Sequence, residues 1–265
     1  MLNELKKNIK ILAINLKYNM AKEMENRTSF VSQVIFILLN NALYIVQWLV
    51  FYRLKSTIGG YSFDNILILW ALGAASYGIS HLFFENVYYI PELISNGKLD
   101  AYITQPLNVL WNVSVSKTKP SAFGDLLYGI VLAIISIGAD FQKIFLFMLF
   151  SCLGAIILTS FSILASSLTF WIKRGEQIAH NLDFSIRIAS LYPEGIFNNF
   201  IKVILYTIVP TGFIIYLPIR IILNFNLISM ISVILFASFF ALLAFYVFNK
   251  GLKKYSSSNL MSARI

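Results

Sequence analysis

Glu176, His180 and Asp183 fall at steps of four and three, a spacing that puts three metal-binding side-chain types on one face of a helix. Arg187 continues that face, would repel a cation, and stands at the helical ion-pair distance from Asp183. The four therefore read as the solvated face of a cytosolic helix, and no metal site is expected. His81 and Glu85 are also four apart, at the edge of an apolar run, which predicts a local hydrogen bond rather than catalysis. The stretch "SNGKLD" resembles a phosphate-binding loop only superficially. That motif needs a glycine five residues before its Gly-Lys pair and Ser or Thr after it. Here Glu92 and Leu99 occupy those places. No Ser/His/Asp order and no Cys/His pair supports nucleophilic catalysis. The chain is expected to have no catalytic residues, no cofactor and no nucleotide site of its own.

The other polar residues worth weighing lie inside apolar runs, where each is costly. Gln33, Asn40 and Gln47 recur every seven residues with Tyr44 between them, so they share a helix face. That face is either the lining of a wet path or a seam of interhelical hydrogen bonds. Thr159, Ser162, Ser166 and Thr169 also share a face, and either line a path or bond their own backbone. Ala71, Ala74, Ala75 and Gly78 are small enough to let two helices approach closely. Pro210 and Pro218 interrupt one run twice, which suggests an element that dips into the membrane and returns.

The elements carrying these residues must be membrane helices. Hydrophobic residues make up 58% of the 265 and charged ones 12%, against about 25% charged in soluble domains. The one cysteine, Cys152, cannot form an internal disulfide. Apolar runs at 30–52, 63–84, 121–139, 144–172, 203–219 and 227–248 predict six crossings. With the N-terminus inside, the inner segments 1–29, 85–120, 171–202 and 249–265 hold 17 of the 21 Lys and Arg. That asymmetry predicts N-in and C-in, and explains the net charge of +9 without nucleic acid. Residues 1–29 place Leu2, Leu5, Ile9, Leu12, Leu16 and Met20 on one stripe and lysines elsewhere. This is an interfacial helix on a lipid bilayer with anionic head groups. The fold class is thus an all-α integral membrane protein: residues 1–29 interfacial, 30–249 spanning, 250–265 a basic cytosolic tail.

Within 85–120 a punctuated cytosolic segment stands between two greasy stretches. Tyr88, Tyr89, Leu93 and Ile94 supply an apolar side, and Gly97 with Asn96 ends a short helix. Lys98 and Asp100 follow, then a second amphipathic stretch with Pro106. A firm elbow with charged tips suits docking to something outside the chain.

The segment 92–106, with "ISNGKLDAYITQPLNVL", resembles the signature of a branch of the type-2 ABC exporter permeases. "LYPEGIF" and "IVPTGFIIYLP" resemble that branch further along. The tip Asn96-Gly97-Lys98, with Lys before Leu99, departs from it. The resemblance implies a permease subunit that pairs with a second copy or a sister permease and binds separate ABC ATPase subunits, which would hold Mg-ATP. It implies that Pro91, Glu92, Gly97, Lys98, Leu99 and Asp100 form an ATPase-coupling helix. It also implies that residues 1–29 are a connecting helix, that the segment around 210–222 is re-entrant, and that spans one, two and five flank the path. The Ile-, Asn-, Lys- and Phe-rich composition points to a bacterial inner membrane. Alternatives are a secondary transporter or channel, and a non-transporting immunity or scaffold protein.

Overall fold

The computed structural model describes residues 2–256, and side chains from residue 6 onward. Leu2 and Leu5 of the apolar stripe and the tail beyond residue 256 therefore lie outside the described side chains. The chain is 82% helical, with no strand among the described residues. In order the helices are α1 (Leu2–Met24), α2 (Arg27–Leu54), α3 (Phe63–Phe84), α4 (Ile90–Ser95), α5 (Asp100–Ile103), α6 (Val109–Val115), α7 (Phe123–Ile137), α8 (Phe141–Ser167), α9 (Gly175–Ala189), α10 (Asn199–Thr207), α11 (Leu217–Leu223) and α12 (Leu227–Leu252). Short polar residues set the starts of the long ones. Asn26, Ser62, Asp140 and Asn226 each accept a bond from the amide three residues on, satisfying one orphan donor.

Five helices, α2, α3 running into α4, α7, α8 and α12, are long and apolar enough to cross a bilayer. Lipid tails are as apolar as leucine, so packing between such helices depends on close contact rather than on escape from water. The small residues of α3 supply it. A Cβ on Gly129 of α7 would lie 2.7 Å from the Ala71 carbonyl oxygen and 2.8 Å from the Ala75 nitrogen, and one on Gly78 2.7 Å from the Leu126 nitrogen. The buried core gathers around this seam and around Phe147, Phe150 and Ile157 of α8.

The bundle has two distinct ends. One carries the elbow at 85–119; the other carries the turn at 55–62 between α2 and α3. α8 runs from the turn end to the elbow end, where Phe170 meets Phe248 of α12 with ring centroids 5.5 Å apart. α9 starts at the elbow end, with Gly175 tight against Thr169. It finishes at the turn end, where Tyr192 meets the Trp48 ring at 6.3 Å and Gly195 abuts Gly59. The element joining the two ends after α8 is therefore α9. The run expected as a span at 203–219 is two helices, Asn199–Thr207 and Gly212–Leu223, bent by 84° at a break. The pair leaves from Gly195 and hands the chain to α12, both at the turn end. Periodicity and hydropathy missed this because α9 is the polar helix and the bent pair is the apolar one.

The two prolines do different work. Pro210 falls in the break between α10 and α11. Pro218 lies inside the unbroken helical run Gly212–Leu223, and the wider π turn at Gly212–Tyr216 directly before it accommodates its missing amide. The second break expected at Pro218 is thus a π turn within a continuous helix.

Candidate functional site

The elbow is built from the end of α3 outward. A 3-10 turn, Glu85–Tyr89, leads into α4, whose first turn contains Pro91. α4 stops at Asn96, and Gly97 takes φ 67°, a left-handed conformation that costs a residue with a Cβ. The chain then doubles back, and the Leu99 amide donates to the Leu93 carbonyl at 3.1 Å. Of the six expected coupling residues, Pro91 and Leu99 point inward. Leu99 is fully buried with Ile90, Ile94, Val113, Ile163 and Phe248, so it pins the elbow to α8 and α12. Glu92 and Lys98 form the outer tip and lie 3.7 Å apart, largely exposed. Asp100 opens α5 beside them. Burial, with the Asp100 carboxylate nearby, pushes the Tyr255 phenol up to about 12.

A polar clamp that the sequence did not single out closes the elbow at its base. The Asn86 side-chain amide donates to Ser116 Oγ at 2.8 Å, to the Val113 carbonyl at 3.1 Å and to the Tyr102 hydroxyl at 3.2 Å. Asn112 donates to Gln105 at 2.8 Å. The ammonium of Lys117 sits 3.4 Å from the Tyr89 ring centroid, a cation–π contact. Nothing in the spacing of 86, 102 and 116 betrays the clamp, because it closes only after the elbow has folded. Farther back, His81 and Glu85 make the expected local bond at 2.5 Å, and the His81 ring stacks on Tyr88.

A cavity of about 470 Å³ opens between α2, α3, α7, α8 and α9. Asn40 and Tyr44 line it; Gln33 and Gln47 are exposed elsewhere on α2. Tyr44 stacks on Trp70 at 5.1 Å to form part of the wall. The remaining wall holds charge. Asp125 accepts a bond from the Asn41 amide at 2.7 Å, and Asp183 accepts one from the Ser162 hydroxyl at 2.5 Å. Neither has a cationic partner within 4.0 Å among the described residues. Arg187 covers the Tyr77 ring at 5.1 Å instead of pairing with Asp183, and Lys119 lies on the wall near by. The reading of 176, 180, 183 and 187 as a solvated face is corrected at Asp183, which is buried against α8, while His180 and Arg187 are exposed and Glu176 is half-buried. The described residues contain no metal-type cluster of three His, Cys, Asp or Glu. The polar face of α8 is shared out between neighbours: Ser162 bonds Asp183, while Thr159 reaches Ser80 of α3 at 2.8 Å.

At the turn end, Glu194 ties the bent pair to the end of α9. Its carboxylate accepts bonds from Arg220 of α11 and from the Tyr206 hydroxyl of α10, the latter at 3.1 Å. The Tyr216 hydroxyl donates to the carbonyls of Ala189 and Tyr192 at 3.0 and 3.1 Å. A Cβ on Gly195 would lie 1.9 Å from the Gly59 carbonyl oxygen. Burial, with the Glu194 charge close by, pushes the Tyr61 phenol up to about 12.

Five helices long and apolar enough to cross a bilayer, with an elbow at one end and a polar cavity between them, define a multi-pass membrane protein. Residues 38–259 match the family described as "ABC-2 family transporter protein", and the chain belongs to that family. No curated protein and no solved structure matches it. It is accordingly a membrane component of an ABC transporter, the part such transporters generally use for passage rather than for catalysis.

Proposed function

We propose that the chain is the membrane half of an ATP-driven exporter in a bacterial inner membrane. It pairs with a second permease and is driven by separate ATPases that hold Mg-ATP at the elbow end. The observation that carries this reading is the way the elbow is mounted. Its tip, Glu92 and Lys98, is free, while Leu99, Ile94 and Ile90 are set among Val113, Ile163 and Phe248. Motion imposed on the tip is therefore delivered to the ends of α8 and α12. A partner can move such an element only through contacts that differ between its two states.

In this reading α2, α3, α7, α8, α9 and α12 are the six crossings, and both termini lie inside. α10 and α11 enter from outside and return, covering the exit, with Pro210 at the bend. Assigning Lys202 to the outer side and Arg187 to a span leaves 15 Lys and Arg inside and 5 outside, which keeps the charge asymmetry. α1 lies along the inner surface as the connecting helix. Asn40 and Tyr44 with Asp125 and Asp183 belong to the path, and Gln33 and Gln47 to the seam with the second permease.

The test is co-purification in mild detergent with the ATPase encoded beside it, followed by ATP hydrolysis in proteoliposomes. A stoichiometric ATPase whose turnover falls at least tenfold in coupling when Glu92 and Lys98 are both replaced by Ala supports the proposal. An isolated chain that transports without ATP overturns it. A second reading, a secondary carrier, is favoured by one observation: two carboxylates without cation partners face the cavity among membrane helices, as ion-coupled carriers require. Transport driven by a proton gradient alone would select it.

A further inference from the structure

A second cavity, of about 760 Å³, lies apart from the one assigned to the path. It lies on the opposite flank of the bundle at the elbow end, between α1, α6, α8 and α12. Its lining changes character along its length. Lys7 and Asn8 of α1, with Gln105 and Asn108, form one end. Ile156 and Ile163 of α8 and Ala241 and Phe245 of α12 form the other. Ile156 and Phe245 are also open to the outside of the bundle, at 42% and 47% exposure, so the slot can be entered from the side.

We propose that this cavity is a binding site for one anionic phospholipid per protomer, drawn from the inner leaflet. The phosphate lies at Lys7 and Asn8, and an acyl chain lies in the slot between α8 and α12. Three observations converge on that occupant. First, the polar end sits on a helix that carries Lys6, Lys7, Lys10, Lys17 and Lys22, so the local charge selects an anion. Second, the Lys7 ammonium meets the Pro106 carbonyl at 3.5 Å, and among the described residues no carboxylate lies within 4.0 Å of it. Third, Trp111 lines the cavity, and its Nε1–H is buried with no acceptor. A buried donor without a partner costs stability, and a small turn of the Trp111 ring toward the cavity would let a lipid ester or phosphate oxygen satisfy it. An inorganic phosphate would meet the first two needs but would leave the apolar slot unfilled.

The position gives the site a consequence. Its wall includes Gln105 and Pro106, which follow α5 in the elbow, and Asn19 of the same α1 donates to the Ser116 carbonyl at 3.2 Å. A seated lipid would brace α1 against the elbow, so occupancy would stiffen the element that the proposed ATPase moves.

The experiment is native mass spectrometry of the purified protein after equilibration with phosphatidylglycerol, with phosphatidylcholine, or with inorganic phosphate. The expected result is one retained phosphatidylglycerol per protomer, retained about fivefold less well by Lys7→Gln, since one lysine near a lipid surface is worth about 1 kcal/mol. Lys17→Gln, an equal loss of charge elsewhere on α1, should keep it. Ala241→Trp, which fills the slot without changing charge, should also lose it. Lys7 is exposed, so its variant is expected to fold even if Ala241→Trp does not. Equal retention of phosphatidylcholine, equal loss in Lys7→Gln and Lys17→Gln, or a shift with inorganic phosphate that matches the lipid would each overturn the proposal. The readout is binding to the isolated permease, so it stands or falls separately from ATP-driven transport.

Discussion

The two ends of the bundle are closed by opposite means. At the turn end the protein seals on itself: backbone meets backbone at Gly59 and Gly195, and Glu194, 10% exposed, holds two helices at once. At the elbow end the ion pair between Glu92 and Lys98 is 45% and 62% exposed and holds nothing together. An exposed pair of that kind contributes about 0–1 kcal/mol. The contrast teaches that charge is used for cohesion where the chain must close and for presentation where it must meet a partner. Substitutions at the turn end should therefore show first as lost stability, and those at the elbow tip as lost coupling.

The hardest blow to the turn end is Gly195→Ala. The added Cβ has only backbone to push against, so either the 58–61 turn or the 193–197 connection must shift. A loss of about 3 kcal/mol is expected in thermal or denaturant unfolding of the purified protein in detergent. A stability within about 0.5 kcal/mol of the parent would show that the two connections are not in real contact. Glu194→Gln comes next. It keeps the shape but weakens two bonds, one of them to a charged group, for about 1–2 kcal/mol once the exposure of Arg220 is allowed for. The double variant Glu194→Gln with Arg220→Gln should cost less than the sum of the singles. Strict additivity would mean that the pair does not couple α11 to α9.

Asn86→Ala tests whether the elbow end has any cohesive core. The two amide hydrogens that the buried Asn86 shares among three acceptors are lost, while Ser116 keeps its bond to the Val113 carbonyl and its contact with the Tyr102 hydroxyl, so about 1–2 kcal/mol is expected. Coupled ATP hydrolysis should fall with it, because the clamp sets the angle of the elbow. Unchanged stability with lost coupling would move Asn86 from the base to the docking surface.

How far the sequence foretold this division depends on the kind of signal each part leaves. The long helices α2, α3, α8 and α12 are plain because each is a run of apolar residues behind a capping Asn, Asp or Ser. The α3–α7 seam is plain for the same local reason: Ala71, Ala75 and Gly78 advertise close approach in their own spacing. α9 was hidden. It carries Glu176, Asp183 and Arg187, which hydropathy places in water, and only the contacts of Asp183 with Ser162 and of Arg187 with Tyr77 show it packed in the bundle. The cavity was half visible. Asn40 and Tyr44 stand out on an apolar helix, but Lys119 and Asp125 come from around the start of α7 and Asp183 from α9, segments that only folding brings together with α2. The same holds for Asn86, Tyr102 and Ser116.

The smallest expected effect on stability, and the sharpest test of the contrast, is Lys98→Ala. The side chain is 62% exposed and its one ionic partner among the described residues is Glu92 at 3.7 Å. Solvent screens that pair, and the lysine gains rotamer freedom when it is free, so unfolding should shift by no more than about 0.5 kcal/mol. The backbone at Gly97 that presents the lysine is unaffected, since its turn is held by the Gly97 and Leu99 amides on the carbonyls of Ile94 and Leu93. Any loss of ATPase attachment or of coupled hydrolysis must then arise from a contact outside this chain. A charge reversal, Lys98→Glu, should deepen that loss while leaving unfolding nearly where Lys98→Ala leaves it, because like-charge placement at a docking rim acts on the partner and on association more than on the fold. If both variants unfold like the parent and still bind and drive the ATPase, the tip is a plain turn, and the partner must grip the elbow through its buried side or elsewhere.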